Sequence, residues 1–453
     1  MNVVTRIPPS PTGRFHIGLA RTALFNYLFA RHHGGTFLFR SEDTDKARSK
    51  KEFEDEIIEG FRWLGLAYDA FSRQSENAPR HQELLQKLVG EGKAYVSKEE
   101  SKDEVGKFVE LIRLKNPGRS LTFHDEVHGD IIFDTTELKD FVIARSISDP
   151  LYHFAVVVDD WDSGVTHVIR GEDHISNTPR QILIQEALGA PRPIYAHLPL
   201  ILDEKRAKLS KRTGATSVMD YRAQGFLPEA LVNYLALLGW SPGSNREDFS
   251  LSELVQTFSL ESIQKSGAAW DREKLLSVNQ RWMRKLSNEE FLAHLGDIRC
   301  PPSDVGHRMS YIVALLKERA RTFGEARELL AGELSCLFNP PTLDKITLTS
   351  KGGDTRIYLV RINEMIESLE ETLPADSIKA NLMPYADEQG RAKPGDARSP
   401  DLPSGGRGRG AVLWPLRYAL SGQERSPDPF TLIALLGKAE AISRLQAAIG
   451  ILE

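Results

Sequence analysis

Arg6-Ile7-Pro8-Pro9-Ser10-Pro11-Thr12-Gly13-Arg14-Phe15-His16-Ile17-Gly18-Leu19 is the stretch on which the reading of this chain turns. Just before and into it, Val3, Val4 and Ile7 group apolar side chains as a short buried strand does. Pro8, Pro9 and Pro11 end the strand, and Gly13 permits a tight bend. Beyond it, Ile17, Ala20, Leu24, Tyr27 and Leu28 recur at helical spacing, and Gly34-Gly35 closes the helix. The N-terminus of such a helix presents unpaired N–H groups and a positive dipole end, which together attract anions. Gly18 has no side chain to keep a flat base from the backbone. His16 can donate a hydrogen bond to a phosphate whose charge changes in a transition state. A plain strand-turn-helix capped by a histidine would look the same, and a motif this short is not specific alone.

Much later, Lys205, Arg206, Lys208, Lys211 and Arg212 surround Ser210 in a polar stretch followed by Thr213-Gly214. Two lysines spaced by Leu209 and Ser210 can place mobile point charges along one phosphate chain, with the Ser210 hydroxyl as a further donor. The alternative is a solvated basic loop, the ordinary fate of a charge run. In this order the two segments can hold a triphosphate from both sides.

With both in hand, the chain resembles the class I aminoacyl-tRNA synthetases. His16-Ile17-Gly18-Leu19 resembles their HIGH signature, and Lys208-Leu209-Ser210-Lys211-Arg212 their KMSKS signature. Further segments narrow the likeness to bacterial-type glutamyl-tRNA synthetases: Arg6 with Pro9 to Gly13, Arg40 to Asp45 with Arg48, Tyr152 to Asp160, and Val168 to His174 running into Asn177-Thr178-Pro179-Arg180. The resemblance is close over roughly 1–95 and 150–285, is looser beyond, and returns around Trp414-Pro415-Leu416-Arg417.

The resemblance implies ATP-dependent ligation of L-glutamate to the 3′ end of tRNA-Glu through a glutamyl-adenylate, with Mg²⁺ accompanying ATP. It implies ATP contacts from Thr12, Gly13, His16, Gly18, Glu172, Lys208, Ser210, Lys211 and Arg212, with His16, Gly18, Lys208 and Lys211 carrying the catalysis. It implies glutamate contacts from Arg6, Ser10, Glu42, Tyr152 and Arg170. Asp45 and Arg48 match positions near the tRNA 3′ end. The chemistry agrees: arginine forks suit carboxylates, and Glu42 offers a counter-charge to an ammonium. For His174 a buried structural role competes with one near the nucleotide.

Composition neither demands nor forbids this. Hydrophobic residues make up 41% and charged residues 27%, ordinary for a globular protein, and the formal net charge is −5. That lacks the global signature of a nucleic-acid binder, so tRNA contact requires a local basic face. The two cysteines, Cys300 and Cys336, form no CxxC, which favours a reducing, cytoplasmic setting. Some relatives carry a cysteine cluster in their inserted domain, but this sequence has Val96-Ser97 and no cysteine nearby after Ala94-Tyr95, so no zinc and no metal-ligating residues are expected. No membrane segment is expected, and the family suggests a monomer.

The expected fold class is an α/β Rossmann-like catalytic domain with an inserted α+β domain, followed by an all-α C-terminal helical bundle. The catalytic domain is expected over 1–95 and 151–205, interrupted by a short tRNA acceptor-end domain at 96–150. The lysine loop and stem-contact helices are expected at 206–305, and an anticodon-binding helical domain at 306–453. Within these, Lys50 to Leu66 reads as a helix, Phe154 to Val158 as a buried strand, and Ile131 to Phe133 as β. The stretch about 390–410 reads as a flexible spacer, with an arginine-glycine arm to tRNA as the alternative. Charging of tRNA-Gln as well is left open; the competing readings are a glutaminyl-tRNA synthetase, a relative that modifies a tRNA base with activated glutamate, a tRNA-independent nucleotidyl transferase, and an inactive paralogue, which should have lost His16, Lys208 or Lys211. A carboxylate-seeking pocket argues against the glutaminyl reading, and the C-terminal region argues against the base-modifying one.

Overall fold

β1 (Val4–Ile7) and α1 (Ile17–His32) are joined by the proline-rich turn, and His16 is the N-cap of α1. α1 is buried at Ala20, Ala23, Leu24, Phe25 and Leu28, and its C-terminus passes through Gly34, at φ 62°, into β2 (Thr36–Ser41). Gly35 lies so close to β1 that any Cβ would fall 2.2 Å from the Val3 carbonyl oxygen. α2 (Lys51–Trp63) carries Ile57 and Phe61 inward, with Gly60 against the Phe15 ring that precedes the cap. β3 (Ala70–Arg73) and α3 (Ala78–Gly90) follow.

The computed structural model describes residues 2–100, 108–203, 205–207, 209, 217–296, 305–352, 354–390 and 408–453. The chain divides into two compact units, 1–279 and 280–453.

The segment 96–150 does not stay in one sheet. β4 (Ala94–Glu100), β5 (Phe108–Leu114), β8 (Phe141–Ser146) and β9 (Asp149–Pro150) form an antiparallel sheet. Between them, β6 (Ser120–Asp125) and β7 (Gly129–Asp134) make a hairpin that joins the sheet of the nucleotide-type fold. α4 (Tyr152–Asp162), β10 (His167–Gly171), α5 (Thr178–Leu188) and β11 (Ile194–Leu198) return to that fold.

The stretch Phe154 to Val158, expected as a strand, lies inside α4. Every residue from Phe154 to Asp160 is buried, so the stretch lacks the polar face that gives a helix its period. A short, fully apolar, valine-rich run cannot be told from a buried strand by periodicity.

β1, β2 and β3 pair in parallel in the order β1-β2-β3, and β10 pairs in parallel with β11. The two sets meet at Thr166. Val4 N donates to Thr166 Oγ1 at 2.8 Å, and Thr166 N donates to the Val4 carbonyl at 3.0 Å. Strand order therefore runs outward from β1 on one side and from β10 on the other. In open α/β sheets ligands bind beyond the strand ends at that reversal. The same unit continues through helices Val218–Ala223, Pro228–Leu237 and Leu251–Thr257.

The second unit is built of helices, among them Phe323–Ala331, Thr355–Glu367, Gly410–Ser421, Pro429–Leu436 and Lys438–Leu452. Leu359, Ile362, Val412, Leu416, Leu432 and Leu445 are buried among them. Buried Arg444 donates from Nη1 to the carbonyls of Cys336 and Leu420, at 2.8 and 2.7 Å, tying together the C-terminal parts of two helical segments. No described helix is long and apolar enough to cross a membrane. The 390–410 expectation lies mostly outside the described residues; Gly410 begins a helix.

Candidate active site

A cavity of about 1070 Å³ opens beyond the C-terminal ends of β1 and β10. Arg6 and Arg170 reach it from those strands, Glu42 from the end of β2, His16 and Gly18 from the start of α1, and Tyr152 from the start of α4. Ser10, Asp45 and Arg48 also line it. Thr12, Gly13 and Glu172 do not; the Glu172 carboxylate accepts the N–H of Leu200 at 2.8 Å. Lys208, Ser210, Lys211 and Arg212 lie outside the described residues, as does Cys300.

The floor is a buried charge network. Arg6 Nε donates to both oxygens of Asp160, at 3.1 and 3.2 Å, and Arg40 Nη1 donates to the same carboxylate at 2.7 Å. Arg40 Nη2 reaches Glu42 at 3.2 Å. The neighbouring Asp159 accepts from Gln74 at 2.7 Å and Asn77 at 2.9 Å, and His81 Nε2 stands 2.7 Å away. Burial alone would raise the Asp160 carboxyl, but the two guanidinium groups hold it below the usual carboxylate range. Glu42 goes the other way: burial outweighs Arg40 and Arg6 and pushes it up to about 7. Arg6 Nη1 is buried and has no hydrogen-bond partner among the described residues. A buried donor without a partner is costly unless a ligand accepts from it.

His16 does two things with one ring. Its Nδ1 accepts the Leu19 N–H at 3.2 Å, capping α1. That leaves Nε2 as the protonated nitrogen of the neutral ring, a donor. The capping histidine and the phosphate-directed histidine are thus compatible. Gly18 sits so that a Cβ would come within 3.3 Å of His16 Nδ1, so a side chain there would press on the ring. Arg21, one turn further along α1, is also a cavity residue; it is buried, with Nη1 donating to the Leu238 carbonyl at 3.2 Å and Nη2 to that of Pro199. Burial lowers it to about 10.

Tyr152 and His174 meet at 3.3 Å from the hydroxyl to Nδ1. Burial, then the Arg170 charge, drops His174 to about 4, which keeps it neutral. Asp45 and Arg48 pair with each other at 2.6 Å at the cavity rim. Sequence reasoning gave no role to Arg40, Asp159, Asp160, Gln74 or Arg21. The only trace of the network in the sequence is the acidic pair closing an apolar run.

Residues 2–108 and 97–277 match the catalytic domain of the class I tRNA synthetases (E and Q), and residues 273–449 match an anticodon binding domain. Glutamate–tRNA ligase 1 of Alkalilimnicola ehrlichii is 39% identical over 99% of this chain and 98% of its own length. The enzyme of the same name from Caldanaerobacter subterraneus is 36% identical over 100% and 98%. A crystal structure of a glutamate tRNA ligase from Elizabethkingia meningosepticum in complex with its amino acid superimposes with a TM-score of 0.84 at 29% identity, covering all of both chains. The chain belongs to the glutamate–tRNA ligase family of class I tRNA synthetases.

Asp160→Asn should destabilise the fold by about 3–5 kcal/mol, because it leaves two buried guanidinium groups short of their shared counter-charge. Urea unfolding followed by fluorescence reads it. A change under about 1 kcal/mol would mean the network is better solvated than its burial implies.

Proposed function

We propose that the chain charges tRNA-Glu with L-glutamate through a glutamyl-adenylate, using ATP and releasing AMP and pyrophosphate. The observation that carries the amino-acid part is the pairing of Arg6 Nη1, buried and unpartnered among the described residues, with Arg170 and Glu42 on the wall of one cavity. Two cationic forks and one carboxylate match the two carboxylates and single ammonium of glutamate. Glutamine would leave a guanidinium facing a neutral amide, which supports the acid over the amide.

In the first step the α-carboxylate of glutamate attacks the α-phosphorus of ATP. A P–O bond forms as the bond to pyrophosphate breaks, and no covalent enzyme intermediate is needed. The protein's contribution is then alignment and charge stabilisation. His16 Nε2–H and the positive dipole end of α1 suit the phosphate chain. Lys208 and Lys211, with Ser210 and Arg212, would hold the triphosphate from the other side. Mg²⁺ would arrive on ATP, keeping much of its water, and supply charge neutralisation. In the second step the terminal ribose hydroxyl of tRNA attacks the carbonyl of the mixed anhydride and AMP leaves. Asp45 and Arg48 at the cavity rim suit the arriving 3′ end.

The domain roles follow the same proposal. Residues 96–150 approach the acceptor end, 206–305 the stem, and 306–453 the anticodon. The enzyme acts as a monomer in the cytoplasm.

Transcripts of tRNA-Glu and tRNA-Gln, each offered labelled glutamate and labelled glutamine, test the reaction. Glutamate should appear on tRNA-Glu and glutamine on neither. Glutamate on both would make the enzyme non-discriminating, and glutamine on tRNA-Gln alone would overturn the proposal. His16→Asn keeps a cap acceptor but removes the ring N–H. Pyrophosphate exchange, run with tRNA present, should fall roughly 10²–10³-fold while glutamate binding survives. A near-normal exchange rate would remove His16 from the chemistry.

A further inference from the structure

Arg170 is held in a way that differs from Arg6. Arg6 is gripped by a carboxylate. Arg170 has no carboxylate within ion-pair distance among the described residues; its holders are neutral. Its Nε donates to His197 Nε2 at 3.1 Å and its Nη2 donates to Thr178 Oγ1 at 2.8 Å. His197 and Thr178 are fully buried, and Arg170 is 6% exposed.

Behind His197 stands Asp125, the last residue of β6, likewise fully buried. Asp125 Oδ2 lies 2.6 Å from His197 Nδ1 and accepts the His197 backbone N–H at 3.1 Å. Its Oδ1 accepts the backbone N–H groups of Val127 and His128, at 3.1 and 2.9 Å. A carboxylate so surrounded by donors stays ionised. Burial works against it, but the His197 contact and the backbone donors hold it below the ordinary aspartate range.

Both ends of the imidazole then demand one tautomer. An ionised carboxylate only accepts, so Nδ1 must carry the proton. Arginine only donates, so Nε2 must be the lone pair. Burial first, and the Arg170 charge as well, disfavour a second proton on His197. A neutral imidazole orients a guanidinium without cancelling its charge. A carboxylate in its place would orient the guanidinium and neutralise it.

We infer that Asp125 and His197 are positioning residues that aim Arg170 by its Nε and keep it uncompensated for a carboxylate of the bound amino acid. This rests on the reading of Arg170 as a glutamate contact. It also gives part of the 96–150 segment a task in amino-acid recognition, since Asp125 enters from there. Thr178 completes the grip, accepting from Arg170 and standing 3.2 Å from the His174 carbonyl it can donate to.

The test uses the full chain and steady-state charging. In His197→Gln an amide oxygen can take the place of Nε2; in His197→Leu nothing accepts there. His197→Leu should raise the glutamate KM roughly ten- to hundredfold, with the ATP KM nearly unchanged. His197→Gln should restore most of the loss. Asp125→Asn puts an NH2 donor against Nδ1, favours the opposite tautomer, and should behave like His197→Leu. Should the variants fail to fold, ¹⁵N resonances of His197 in the wild-type enzyme still decide, showing a protonated Nδ1 and a bare Nε2. Equal effects of Leu and Gln on the glutamate KM, or a proton on Nε2, would overturn the inference. Arg170→Lys separates the two levels. An unchanged glutamate KM there would overturn the Arg170 reading and the relay with it. A raised KM there beside a normal His197→Leu would overturn the relay alone.

Discussion

Asp160 takes one guanidinium from β1 and another from β2, and the pocket floor depends on that sharing. Ions in an interior this dry lose several kcal/mol of hydration each, recovered only when the geometry is close and the remaining valences are met. Here they nearly are. Asp160 serves Arg6 and Arg40, Arg40 reaches on to Glu42, and Asp159 is braced by Gln74, Asn77 and His81. What is left over is a donor on Arg6, a second donor on Arg40, whose Nε stands 3.8 Å from Asp159, and a glutamate pushed up to about 7. Arg6 and Glu42 line the cavity, so these two imperfections of the network fall where a zwitterionic ligand with an extra carboxylate would remove them.

The same network ties two strands of the β1-β2-β3 set to α4. Arg6 and Asp160 are 154 residues apart in sequence, Arg40 and Asp160 120. Forming it therefore requires the fold to close across the 96–150 segment, whose own residues enter twice. Asp125 stands behind the His197–Arg170 pair, and β8 and β9 bring Arg145 and Asp149 to the cavity rim.

Local features of this arrangement were legible in the sequence. The strand, proline turn and helix around His16 stand as the residue pattern implied, because each is set by neighbours: prolines end the strand and apolar spacing sets the helix. Arg6, Glu42, Tyr152 and Arg170 all reach one cavity. The α4 run was misread as a strand because burial on all sides erases the periodic signal. The ion network was illegible for a different reason. Its partners are far apart along the chain, and no spacing rule connects Arg40 to Asp160. Thr12, Gly13 and Glu172 do not line that cavity, and Glu172 holds the Leu200 backbone.

The central claim is that Glu42, pushed up to about 7 by burial in the free site, becomes the counter-charge of the amino-acid ammonium. Calorimetric titration of the enzyme–tRNA complex with glutamate, in buffers of different ionisation enthalpy at pH 7, tests it directly. An ammonium placed beside Glu42 lowers its pKa, so binding should release roughly half a proton, and glutamate affinity should tighten as pH rises through 7 and level off above it. Glu42→Gln should bind more weakly and release none. Wild-type binding with no proton release, or release unchanged in Glu42→Gln, would contradict the assignment.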